Sequence, residues 1–184
     1  DKRHYNLVNF DDLMKGREGS PLRVLNKTKS DEMEALITQV KEENDSIGGT
    51  IRCIIQGVPG GIGGPLFYSL ESDISKAMFS IPAIKAIGFG AGFKAAKMRG
   101  SEHNDPWRIK NQSIETTKND AGGIIGGVST GMPIEFEVAI KPTATIGKVQ
   151  NTVDIEKMEE TEIHLEGRHD PCIVPRAVVV VEAM

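Results

Sequence analysis

Cysteine is scarce in this 184-residue sequence, and that scarcity already narrows its class. Cys53 and Cys172 are too few to staple a disulfide scaffold, and they fit a reducing, cytoplasmic setting. No apolar run approaches the ~18 residues of a membrane-spanning helix, and nothing resembles a signal or transit peptide. A basic excess is missing too. Twenty-two Lys and Arg stand against 26 Asp and Glu, a net charge of -4, which argues against a dedicated nucleic-acid binder. Neither G-x-G-x-x-G nor G-x-x-x-x-G-K-[ST] is present, so the standard nucleotide fingerprints are excluded. His4, His103, His164 and His169 show no H-E-x-x-H spacing and the cysteines no C-x-x-C. No metal is expected.

What is present describes a folded chain. Hydrophobic residues are 39% and charged residues 26%, enough to build one ordinary domain with a core. The sequence opens at Asp1 without a methionine and closes on an apolar stretch, 177–184, with no cap, Gly, Pro or polar tail. We expect a piece of a longer polypeptide, with a short buried terminal strand as the alternative.

Residues 1–30 are polar and irregular, with a loop expected over 15–21. Met33, Leu36, Ile37 and Val40 fall at i, i+3, i+4 and i+7, which predicts a helix over 31–43 with Asp31 and Glu34 as a capping pair. Residues 50–56 predict a mostly buried strand. A helix is expected over 66–80, with Leu66, Leu70, Ile74, Ala77 and Met78 inward. A short strand over 82–87 and a short helix over 93–98 follow. The clearest strand is 134–141: Ile134, Phe136, Val138 and Ile140 share one face, and Glu135, Glu137 and Lys141 point away. Residues 161–166 repeat that logic with Ile163 and Leu165 inside. The mixture predicts a layered α+β (mixed α/β) fold.

Glycine is uneven. Sixteen of the 20 glycines lie between Gly48 and Gly131, clustered at 57–64, 88–92 and 122–131. Such clusters serve close backbone approach, either to a ligand or to another element. The N-D-A-G-G-I-I-G-G run at 119–127 can converge amides on an anion, or can be a tight packed turn. G-V-S-T-G at 127–131 matches a nucleophile elbow, and His169 with Asp170 completes a formal triad. That motif needs a strand before and a helix after, whereas Pro133 and a strand follow here, so a serine hydrolase is disfavoured. G-R-H-D-P-C at 167–172 sets a guanidinium, an imidazole and a carboxylate side by side, for anion binding and proton transfer or simply as a charged turn.

Taken together these segments form an ordered series: G-V-P-G-G-I-G-G-P at 57–65, M-F-S-I-P-A-I-K at 78–85 and G-F-G-A-G-F at 88–93. G-S-E-H-N-D at 100–105, the glycine run to Gly131, K-P-T-A-T-I at 141–146, R-H-D-P-C at 168–172 and Arg176-Ala177 complete it. In that order and spacing, residues 31–184 resemble the C-terminal portion of the single chorismate synthase domain, with 1–30 as a lead-in. The resemblance implies a β-α-β sandwich, a homotetramer, and a carbon–oxygen lyase of the shikimate pathway in aromatic amino acid biosynthesis. That reaction is a 1,4-anti elimination of phosphate from 5-enolpyruvylshikimate 3-phosphate to give chorismate, and it requires reduced FMN. It implies flavin contacts at Pro82, Ala83, Gly126, Lys141, Pro142, Thr143, Ala144, Thr145 and Arg168, and a catalytic role for Asp170 beside the flavin. The family's N-terminal motifs, G-E-S-H-G, R-P-x-H-A-D and G-G-G-R-S-S-A-R-E-T, are absent. With them go the catalytic histidines and most substrate-binding arginines, so this chain alone is expected to be inactive. The alternative is a non-catalytic flavin- or anion-binding module derived from the same scaffold.

Overall fold

The computed structural model describes residues 10–184, so His4 and the start of the polar lead-in lie outside the described residues. In chain order the elements are α1 (Phe10–Glu18), α2 (Lys27–Glu42), β1 (Gly49–Ile55), a 3-10 turn (Leu66–Tyr68), α3 (Leu70–Phe79) and β2 (Ile84–Phe89). A 3-10 helix (Gly92–Lys97), α4 (Gly100–His103), β3 (Trp107–Lys110), β4 (Ser113–Thr116), β5 (Ile124–Ile125) and β6 (Val128–Ser129) come next. β7 (Ile134–Ile140), β8 (Gln150–Asp154), β9 (Glu159–Ile163) and α5 (Val174–Ala183) complete an α+β chain. Two compact units share these elements. One comprises Thr50–Ile140 and Val179–Met184, the other Phe10–Gly49 and Lys141–Val178.

The first unit is organised by a three-stranded sheet of order β1-β7-β2. β7 alternates as its sequence predicts: Ile134, Phe136, Val138 and Ile140 are all buried, joined in the core by Ile51, Met78, Ile81, Ile84, Ile124 and Val181. β2 runs antiparallel to it, from Ile84↔Ile140 to Phe89↔Phe136, with a bulge between Ile84 and Ala86. The Phe89 and Phe136 rings sit 5.8 Å apart at the far end of this ladder.

Glu135 does not point away into solvent. As part of the middle strand it is only 3% exposed. Its carboxylate receives the Arg52 guanidinium from β1 and the Asn119 side-chain amide at 3.4 Å. A buried carboxylate is tolerated only when charge and hydrogen bonds are both supplied, and here they are. The Asn119 amide also donates to the Pro133 carbonyl at 2.8 Å, which ties the glycine-rich turn to the entry of β7.

Other elements depart from the sequence pattern for local reasons. α2 starts four residues early because Asn26 accepts the Lys29 N–H at 3.0 Å, so the cap is Asn26 and not Asp31. Its Met33 and Leu36 are nearly half exposed, so only Ile37 and Val40 of the apolar stripe are partly covered. Residues 10–18 are helical without an apolar period, so the first part of the loop expected over 15–21 is helix, and α1 closes with Gly19 N–H donating to Lys15 O. α3 begins only at Leu70, because Ser69 caps it through Ser72 N–H, and Leu66 is left exposed in the preceding 3-10 turn. β9 ends at Ile163 and is exposed throughout. Asp154 accepts the Glu156 and Lys157 amides in a tight turn that fixes its pairing with β8. The terminal apolar stretch is helical rather than a strand: Pro175 sits in the first turn of α5, where its missing N–H costs nothing, and Val181 is buried.

The glycine clusters serve close backbone approach within the fold. Gly90 has φ +53, and a Cβ there would overlap the Asp120 carbonyl. Gly126 also has positive φ, +62, but a Cβ on it would meet nothing within 4 Å. Gly90→Ala is therefore expected to destabilise the protein by more than about 4 kcal/mol or to prevent folding. Gly126→Ala should cost only the left-handed backbone penalty, about 1–2 kcal/mol. Urea unfolding of the two variants checks the contrast.

Candidate functional site

The predicted residues fall into two groups. Pro82, Ala83 and Gly126 belong to the unit built on the sheet, whereas Lys141, Pro142, Thr143, Ala144, Thr145, Arg168 and Asp170 belong to the other.

Pro82 and Ala83 immediately precede β2. Ala83 is held at φ +73, a left-handed conformation that an L-residue with a Cβ adopts at a cost of about 1–2 kcal/mol. Backbone strain of this kind concentrates at functional positions. The chain enters β2 through these residues at the Ile84↔Ile140 end of its ladder with β7. Gly126 sits in the turn between β5 and β6, exposed and open on its Cβ side. Of the predicted anion cradle at 119–127, Gly90's partner Gly122 and also Gly123 and Gly127 are packed against backbone. Gly126 alone of this run's glycines has open space.

In the second unit, Lys141 and Arg168 are exposed, and neither makes an ion pair among the described residues. Thr143 differs: its hydroxyl is buried and has no hydrogen-bond partner among the described residues, while its carbonyl accepts the Ser46 hydroxyl at 2.6 Å. A buried hydroxyl left unpaired is unfavourable, which marks Thr143 Oγ1 as a group available to a ligand. Asp170 is three-quarters buried, and its Oδ2 pairs with the Arg176 guanidinium. His169 donates from Nε2 to the Leu165 carbonyl at 3.0 Å, which fixes its tautomer. Ile47 N–H donates to the Pro171 carbonyl at 2.8 Å, so the turn carrying Arg168 and Asp170 is tied down from the α2–β1 connection. In that same connection the Lys148 ammonium beside Asp45 holds its carboxyl below the usual carboxylate range, and Asp45 in turn raises Lys148.

Ser129 is no nucleophile. It is buried on β6, its hydroxyl donates to the Pro59 carbonyl at 2.5 Å, and it accepts the Ile62 N–H at 2.9 Å. Burial pushes both thiols up, with the Glu182 charge adding to the effect at Cys53, so neither is a thiolate nucleophile at neutral pH. A cavity of about 390 Å³ in the sheet unit is lined by Phe89, His103, Asp105, Asp120, Ile124 and Ile125 among others. Its carboxylates are already satisfied. Asp105 accepts the Asp120 and Ala121 amides, and Lys118 reaches both acids. The cavity thus presents acids to a ligand and no spare cation, which suits an anion poorly. Lys141 and Arg168, exposed and without an ion pair among the described residues, suit an anion better.

The sequence reading missed Ser46, whose only signal is the turn-forming N-D-S-I-G-G run at 44–49, and it missed the partners that let Glu135 be buried.

Residues 5–184 match the family model described as chorismate synthase. The chain is 53% identical over 175 residues to the chorismate synthase of Korarchaeum cryptofilum, covering 95% of this chain and 48% of that protein. It is 49% identical over 177 residues to the chorismate synthase of Methanosarcina barkeri, covering 96% and 48%. A crystal structure of chorismate synthase matches with a TM-score of 0.76 at 30% identity, over 98% of this chain and 48% of that one. The chain therefore spans about half the length of the relatives it matches. A match along nearly all of its length, in sequence and in fold, places this chain in the chorismate synthase family.

Proposed function

We propose that this chain forms the flavin-facing part of a chorismate synthase, a lyase that eliminates phosphate from 5-enolpyruvylshikimate 3-phosphate to give chorismate. The observation that carries the reading is at Thr143. A buried hydroxyl with no partner among the described residues lies in the same short run as Lys141, an exposed cation that makes no ion pair among them. That combination suits a ligand with both an anionic group and hydrogen-bonding edges, and FMN has both. In the sheet unit, strain at Ala83 and the exposed turn at Gly126, open on its Cβ side, support the same reading. A homotetrameric assembly and a cytoplasmic location belong to this reading.

The residues divide the work by their chemistry. Lys141 and Arg168 hold anionic groups, Arg168 through its planar fork. Pro82, Ala83, Pro142, Ala144 and Thr145 present backbone and small side chains to a flat ring, and Thr143 Oγ1 offers a hydrogen bond. Asp170 has its Oδ2 engaged with Arg176, which leaves Oδ1 to take or hold a proton. Reduced FMN, when bound, supplies the electron-rich ring that lets a C–O bond break without net redox change. The imidazoles and arginines of the family's N-terminal motifs would come from outside this chain.

Three outcomes test the reading. The 184-residue chain by itself should show no turnover of 5-enolpyruvylshikimate 3-phosphate with reduced FMN supplied, because it lacks those histidines and arginines. In the full-length enzyme, Lys141→Ala should weaken FMN binding by one to two decades, about 1.5–3 kcal/mol, with folding little changed; flavin titration measures it. Asp170→Asn keeps the shape and loses the proton-accepting oxygen, so kcat should fall by about 10²–10⁴-fold while flavin affinity holds. If kcat stays near wild type and thermal stability falls instead, Asp170 is a structural partner of Arg176.

A further inference from the structure

Four consecutive residues between α2 and β1 reach into the two segments that carry the proposed flavin contacts. Asn44, in a left-handed conformation at φ +56, accepts the Gly147 N–H on its carbonyl at 3.0 Å. Asp45 pairs with Lys148 at 2.7 Å. The Ser46 hydroxyl donates to the Thr143 carbonyl at 2.6 Å, and Ile47 N–H donates to the Pro171 carbonyl at 2.8 Å. Contact is close along this line, since a Cβ on Gly147 would lie 3.1 Å from Asn44 Cβ. The loop thus links residues 143–148 and the turn after Asp170 into one frame.

The four links are not equivalent. The Asp45–Lys148 pair is solvent-exposed and contributes little. The Asn44 and Ile47 links are backbone bonds made without their side chains. Ser46 is partly buried, and its is the one side-chain hydrogen bond from this loop to the run 141–145. It fixes the Thr143 carbonyl, and hence the 143–144 peptide plane next to the Cα that carries the Thr143 hydroxyl.

We propose that Ser46 is a positioning residue for the flavin site, acting through the Thr143 carbonyl and not by touching the cofactor. This rests on reading residues 141–145 and Arg168 as flavin contacts. Without the Ser46 hydroxyl the Thr143 peptide can rotate, and binding must then include the loss of that freedom.

The test is FMN titration, thermal melting and steady-state kinetics on the full-length enzyme with Ser46→Ala, Ser46→Cys and Ser46→Thr. Ser46→Ala should raise the FMN Kd about tenfold, the scale of one lost hydrogen bond, and leave kcat at saturating reduced FMN near wild type. Ser46→Cys keeps the volume with a weak donor and should behave like Ser46→Ala, which preserves the test if the alanine variant does not fold. Ser46→Thr retains the hydroxyl and should restore affinity. An unchanged Kd in the Ala or Cys variant, with or without a lower melting temperature, overturns the proposal and leaves Ser46 a structural residue. Failure of the wild-type enzyme to bind FMN overturns the flavin reading itself, and this is seen before any variant is made.

Discussion

Glu135 sits in the middle strand of the three-stranded sheet with almost no exposed surface, and an unpaired carboxylate there would be prohibitive. Much of the sheet unit follows from meeting that demand. Arg52 must come from β1 on one side, and Asn119 must come from the glycine-rich turn. The Glu135 backbone is used as well: its N–H donates to Gly122 O, and its carbonyl accepts Gly90 N–H. One residue therefore ties β1, β7, the turn after β2 and the start of the 122–127 run. The backbone approaches at Gly90 and Gly122 are the steric consequence, because a side chain at either position would force these strands and turns apart.

The same unit pairs several of its charges internally. Lys118 is consumed by Asp105, Asp120 and the carbonyls of Glu102 and His103. Arg108 and Lys110 are drawn to Glu115 on the β3–β4 ribbon, where the guanidinium holds the Glu115 carboxyl below its ordinary range. Lys141 and Arg168, by contrast, are exposed and make no ion pair among the described residues.

How far the sequence reveals this structure depends on whether a signal is local and periodic. β1 and α3 form where an apolar period predicts them but bury only Ile51 and Met78 fully, so β1 is less buried than its sequence predicts. β7 announces itself because one buried face repeats at a fixed interval. Asn26 as a cap, the polar helix α1 and the exposed ribbon β8–β9 do not, because capping and turn hydrogen bonds decide them, not an apolar period. The burial of Glu135 is invisible for a further reason: it depends on Arg52, 83 positions away in the chain. The proposed site divides in the same manner. Lys141, Arg168 and Asp170 stand out as charged residues in tight motifs, whereas Ser46 acts on a carbonyl 97 residues distant and carries no motif of its own. Thr143 is legible only as part of a run, since its unpaired hydroxyl is a property of its surroundings.

The antiparallel pair β2–β7 also works as a ruler. Ile84 opposite Ile140 sets where the chain enters one strand from Ala83 and where it leaves the other into Lys141. Side chains in a strand alternate between faces with period two, so a slide of one residue exchanges the faces of the whole strand. The length of β7 between the buried Glu135 and Lys141 is therefore constrained in parity as well as in size. Adding or removing two residues preserves the face on which Lys141 departs, and a change of one reverses it. By this parity a single-residue insertion or deletion in β7 should disturb the sheet more than a paired one, unless a bulge like that between Ile84 and Ala86 takes up the offset.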